Sequence, residues 1–225
     1  MTLLAADPGS SLATALGVIG SVLTLSVAAP QAVKVWRDRA SVGVSGATWW
    51  LFCMLAFLWI GYSIREGNAL VLWCNVFALV ANCALVLGIH RFDPLSMPGI
   101  ALWVGIPGIG SVVAAVGFFA PVALVSGLLV AIALIRVPQI RRSFRTWREV
   151  TPSEVSRVTW WVGLGSGVCW EFYGILLGDV TIMLASLAGS SMSATVVALE
   201  HAAAGRRRRV ARVGTLPAKQ THGRN

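Results

Sequence analysis

An all-α integral membrane protein of seven helices, two similar three-helix units joined by one linker helix, is the fold class that the sequence predicts. Three observations carry it. Hydrophobic residues make up 56% of the 225 and stand in long unbroken blocks, while charged residues make up only 12%, about half the share of a soluble domain. A stretch from Pro30 to Asn68 returns from Pro138 to Asp179. Lys and Arg fall almost entirely in alternate connections between the blocks.

The blocks come first. A run of ~18 or more apolar residues with few charges reads as a membrane helix. Spans are predicted at 12–33, 46–64, 69–89, 99–119, 121–137, 158–177 and 180–199. The bend Phe119-Ala120-Pro121 separates the fourth from the fifth, since a proline disfavours helix at the residue before it. The chain therefore divides into an N-terminal tail (1–11), a first unit (12–90), a linker span (99–119), a second unit (121–200) and a basic C-terminal tail (201–225). Pro107 among glycines predicts a kink in the linker span. Residues before Leu12 carry Asp7 and no basic residue, so the first span reads as a retained helix and not a signal peptide.

The repeat is an internal one at domain scale. The pairs Pro30-Gln31 and Pro138-Gln139 lie 108 residues apart, and from Trp36 onward the offset is 111. Eleven residues between 36 and 67 are identical at that offset, four of them tryptophans. Ser45 and Ser156 are expected to cap the second and sixth spans, and Asn68 and Asp179 the third and seventh. Gly67 and Gly178 are expected to make the turns before the latter pair.

Charge sets an expected orientation. Seventeen of eighteen Lys and Arg lie in the connections after spans one, three and five and in the tail; Arg65 alone lies on the other side. Basic connections stay in the cytoplasm, so the N-terminus is expected outside and the C-terminus inside. An odd number of helices per unit makes the linker span necessary if both units are to point the same way. The net charge of +9 does not imply nucleic acid, because the charge sits in membrane connections and a short tail. The run Arg206–Arg209 reads as a cytoplasmic anchor and is suited to anionic lipids. Only two of the basic residues are lysines; with the many Ala, Val and Gly, this hints at a GC-rich bacterial genome and a bacterial plasma membrane.

No enzyme is expected. His90, His201 and His222 lack carboxylate or cysteine partners at ligand spacing, and the four cysteines show no metal pattern, so neither metal nor cofactor is anticipated. The candidate site residues are polar or aromatic groups inside spans. Trp59 and Tyr62, like Trp170 and Tyr173, are three apart and share a helix face. Both tryptophans lie more than ten residues into their spans, too deep for an interfacial belt, whereas Trp49-Trp50 and Trp160-Trp161 fit such a belt. Asn75 and Asn82 share one face of the third span, as Ser186 and Ser193 do on the seventh. Such groups serve either as interhelical glue or as the lining of a pocket for a hydroxyl-rich solute. Pro30 and Pro138 remove a helix hydrogen bond. They mark either a helix terminus or, with Gln31 and Gln139, a hinge that lets a bundle rock. Glu171 is the only carboxylate well inside a span, and it lies about 130° around the helix from the mean direction of Trp170 and Tyr173.

A Pro-Gln pair at the end of the first helix, followed by a basic loop, Ser41-Val42-Gly43-Val44-Ser45 and an aromatic-rich second helix, and repeated once, resembles the PQ-loop superfamily. Within it the chain is most similar to the SWEET and SemiSWEET sugar transporters, whose repeats are parallel. The resemblance implies two three-helix bundles and a linker helix in a 3+1+3 order. It also implies a central pocket lined by the tryptophan of each second helix and the asparagine of each third helix. Trp59, Asn75 and Trp170 match that pattern; Ser186 stands where the second asparagine would be. With Tyr62 and Tyr173 they form the expected substrate site. The implied function is alternating-access transport of a small neutral polar solute, sugar foremost. A carrier of amino acids, or a non-transporting receptor or scaffold of the same fold, is the alternative. The expected partners are the solute and the lipid bilayer; no oligomeric state is read.

Overall fold

The computed structural model describes residues 8–41, 46–95, 97–120 and 157–214, together with single positions between 127 and 149. Its helices are α1 (Pro8–Asp38), α2 (Gly46–Glu66), α3 (Ala69–Phe92), a π-helical segment (Ala101–Ile109) running into α4 (Gly110–Phe119), α5 (Arg157–Leu177) and α6 (Val180–Gly214). All are helical because the apolar runs leave no water for backbone groups, which must then bond within their own segment. Among the described residues five helices are long and apolar enough to cross a membrane, and α5, at 21 residues, is a further long helix. Most of the fifth expected span, the caps Ser45 and Ser156, and Pro138 and Gln139 lie outside the described residues.

Within the first unit α3 packs on both α1 and α2, whose backbones do not approach each other closely among the described residues. The linker helix α4 packs on α2, and α5 packs on both α6 and α1. The contact between α1 and α5 therefore joins the two units. Small residues permit the closest approaches, as is usual between membrane helices. Gly61 of α2 faces the backbone of Ala114 on α4, while Gly117 of α4 faces the Leu58 carbonyl and Tyr62 amide of α2.

Proline in the linker has a definite outcome. The expected kink at Pro107 is a π-helical stretch. Proline cannot donate to the carbonyl four residues back and crowds it, and a wider helical register relieves both faults. Ser111 Oγ donates to the Pro107 carbonyl at 2.6 Å. Trp50, expected at the membrane interface, instead donates from Nε1 to the Ala101 carbonyl at 3.1 Å and ties α2 to the linker. Trp161 is 52% exposed.

The two turns between consecutive helices repeat closely. Gly67 and Gly178 have φ of +66° and +68°, the left-handed region glycine enters without strain. Each is followed by an amide that bonds five residues back, Asn68 to Ser63 at 2.9 Å and Asp179 to Gly174 at 2.8 Å, the pattern of a glycine-closed helix end. Asn68 then caps α3 through the amide of Val71 at 3.1 Å, and Asp179 caps α6 through that of Ile182 at 2.9 Å.

Two apolar clusters form the core. One lies inside the first unit toward its basic end, around Val35, Cys53, Leu85, Val86 and Ile89, with Leu102 and Ile106 of the linker. The other crosses between units. It joins Ala13 of α1, Leu58 and Tyr62 of α2 and Val71 of α3 to Tyr173 of α5, Ile182 and Ala185 of α6 and Ile132.

Candidate functional site

Trp59 and Trp170 both pack against the cluster that bridges the units. Each stands edge-on to the tyrosine three residues on: the rings of Trp59 and Tyr62 are 5.6 Å apart at 79°, and those of Trp170 and Tyr173 are 5.3 Å apart at 87°. This edge-to-face packing is the arrangement the ring quadrupoles favour. The spacing in the sequence thus produces two matching aromatic pairs, each turned toward the same boundary.

The tyrosines also cross that boundary. Tyr62 Oη donates to Asp179, with both carboxylate oxygens at 2.7 Å. Tyr173 Oη donates to Asn68 Oδ1 at 3.0 Å. Each unit's tyrosine therefore bonds the turn cap of the other unit, and the same cap oxygens hold the first turns of α3 and α6. Both bonds sit at the end of the bundle remote from the Arg-rich tail. The sequence marks Asn68 and Asp179 as caps; their second role, as acceptors for residues more than one hundred positions away, has no local signal.

Trp170 has a further partner that sequence reasoning missed. Its Nε1 donates to Thr24 Oγ1 at 3.2 Å. Thr24 and Ser166 share a hydrogen bond of 2.8 Å, and both hydroxyls reach the Gly20 carbonyl, at 2.8 and 3.1 Å. The indole lies directly on Gly20. The signal available was the small-residue stripe Gly17, Gly20, Thr24 along one face of α1. Trp59 has no equivalent network among the described residues: at the 108-residue offset Thr24 corresponds to Ile132, a member of the bridging cluster. The two halves are thus unequal at both the Trp and the Asn/Ser positions.

Asn75 is half-buried beside buried Cys74, and its Nδ2 donates to the Val71 carbonyl of its own helix at 2.8 Å. Ser186 is half-buried at the matching place, next to buried Ala185. Asn82 is buried, and its Oδ1 has no donor among the described residues. Its counterpart Ser193 is fully buried and accepts a hydrogen bond from Arg136. Here a reading of the sequence needs correction. Arg136 was expected in a cytoplasmic loop, yet it lies inside the second unit. Nη1 also donates to the Gly189 carbonyl at 3.1 Å, and the guanidinium lies over the Trp160 ring at 5.8 Å. A basic residue next to an apolar run looks like a loop residue by composition; a serine hydroxyl and a backbone carbonyl on a neighbouring helix are what allow it in.

Glu171 faces α6, where Ser190 Oγ donates to it at 3.4 Å, the helix-facing direction that its angle around α5 implied. Pro30 lies inside α1, so it is not a terminus of that helix, and Gln31 beside it is half-buried. Among the described residues no group of three or more metal-ligating side chains occurs.

Fold and site together define an all-helical membrane protein in which aromatic and turn residues of the two sequence repeats meet. No family model matches the chain. It is 25% identical over 197 residues to the bidirectional sugar transporter SWEET10 of Arabidopsis thaliana, a match that covers 79% of this chain and spans 66% of that protein's length. A solved structure of a eukaryotic SWEET transporter superposes with a TM-score of 0.72 at 15% identity, over 88% of this chain and all of that one. The chain is thus similar in sequence to one SWEET transporter and in fold to another. Both relatives are named as transporters and neither as an enzyme.

Proposed function

We propose that this protein is a carrier of small neutral polar solutes, sugars foremost, working by alternating access between two three-helix units in a 3+1+3 order with residues 121–137 as the fifth crossing. The observation that carries the reading is the pair of tyrosine bonds between units. They are polar and few and sit at one end, beside the apolar cluster that also bridges the repeats, so opening that end breaks both bonds and parts that cluster. Closing them shuts that end; parting them would open a path toward Trp59, Trp170, Asn75 and Ser186, which we take as the solute site. Aromatic faces beside amide and hydroxyl groups suit a sugar, whose ring has apolar faces and a polar rim. The name of the sequence relative supports the same substrate class.

The test is uptake of labelled glucose, sucrose and neutral amino acids by the purified chain in proteoliposomes. Downhill sugar uptake is expected. Uptake of amino acids alone would favour the amino-acid alternative, and a folded protein that moves no solute would favour a receptor or scaffold. In the same vesicles Glu171→Gln is expected to keep most of the uptake, because Glu171 bonds a neighbouring helix. Loss of pH-gradient-driven uptake with exchange retained would instead make it a coupling site.

Orientation follows the charge bias: the basic end is cytoplasmic and the tyrosine bonds face outside. A reporter active only in the cytoplasm, fused after Asn225, is expected to be active. A silent but expressed fusion would reverse the topology.

A further inference from the structure

We infer that the outward face of α1 holds one anionic phospholipid, its phosphate on Lys34 and Arg37 and an acyl chain along the groove above them. The groove is shallow and open, with all its described lining residues on α1. Its apolar part runs over Val22, Leu25, Ala29 and Val33, with Ser26 and Pro30 between them. These positions recur every three or four residues and lie opposite the buried face, Ala13, Ala28, Ala32 and Val35. Val22 and Val33 are 57% and 64% exposed. Pro30 sits in the middle of the face, inside α1.

Length and charge identify the occupant. From Val22 to Val33 a helix rises about 16 Å, close to half of a ~30 Å hydrocarbon core. The groove is therefore one leaflet deep, and the two cations close it at headgroup level. Arg37 Nε contacts Asp38 at 2.9 Å, with 74% of the arginine side chain exposed. An exposed pair of this kind contributes little and yields readily to a phosphate. Lys34 is exposed. The charges thus favour an anionic headgroup over a zwitterionic one, roughly fivefold for each cation. The site is separate from the Arg-rich tail and does not depend on what the protein carries.

The experiment is native mass spectrometry of the full chain in an equimolar mixture of dioleoyl phosphatidylglycerol and dioleoyl phosphatidylcholine. The protein is expected to retain phosphatidylglycerol preferentially. Lys34→Gln with Arg37→Gln should reduce that preference by on the order of tenfold, while Arg208→Gln with Arg209→Gln, which weakens only the tail's own attraction for anionic lipid, should reduce it less. A photoactivatable phosphatidylglycerol should label the peptide containing residues 22–37 of the unaltered protein, which tests the site independently of any variant. Equal retention of both lipids, an unchanged preference in the Lys34/Arg37 variant, a larger loss in the tail variant than in the Lys34/Arg37 variant, labelling elsewhere, or crosslinking of this face to a second copy of the chain would each overturn the assignment.

Discussion

Tyr62→Phe is expected to raise the population open at the tyrosine end by roughly 10- to 100-fold. Phenylalanine keeps the ring and its edge-on packing against Trp59 at 5.6 Å, so only the hydroxyl is lost. That hydroxyl donates to the Asp179 carboxylate, and a hydrogen bond to a charged group is worth about 1.5–3 kcal/mol. Asp179 also holds the first turn of α6, where the helix dipole favours a negative charge, so the acceptor stays in place after the change. Tyr173→Phe removes the matching bond to Asn68, an uncharged acceptor; about 0.5–1.5 kcal/mol and a shift of roughly 2- to 10-fold are expected. Spin labels at Glu66 and Leu177, one on each unit beside the turns, report the opening as a longer distance. The order Tyr62→Phe above Tyr173→Phe above the parent is expected. An unchanged distance distribution in Tyr62→Phe would remove the latch from the mechanism.

The second large effect is on stability. Gly61→Val is expected to cost about 3 kcal/mol or more, at the upper end of overpacking. A Cβ at Gly61 would overlap the backbone of Ala114, and one at Gly117 across the interface would overlap the Leu58 carbonyl. No flexible side chain is available to move, so α2 and α4 must separate. The linker would then lose its seat on the first unit. Gly108→Ala, in the same linker with no atom within 4 Å of an added Cβ, is the control. Thermal unfolding in detergent should show a much lower midpoint for Gly61→Val and none of that loss for Gly108→Ala. Equal midpoints would mean that the two helices do not pack this closely.

Much of the architecture is legible in the chain because its causes are local. Long apolar runs can only be helices in a membrane. Tyr62 and Tyr173 fall beside their tryptophans because three residues make nearly one turn. Gly67-Asn68 and Gly178-Asp179 end one helix and start the next through bonds within a few residues. The repeat, read by identity alone, pairs Trp59 with Trp170 and Asn75 with Ser186.

What only the tertiary structure decided is which helices meet. Periodicity says which face a residue occupies and nothing about the helix opposite it. The bonds from Tyr62 to Asp179 and from Tyr173 to Asn68, the Thr24–Ser166–Trp170 network and the burial of Arg136 against Ser193 all join residues far apart in sequence. They exist because glycines at positions such as 20, 61 and 117 let particular helix backbones come together. A hydroxyl or guanidinium between them must then take whatever partner the neighbouring helix offers, since an unpaired polar group there is costly.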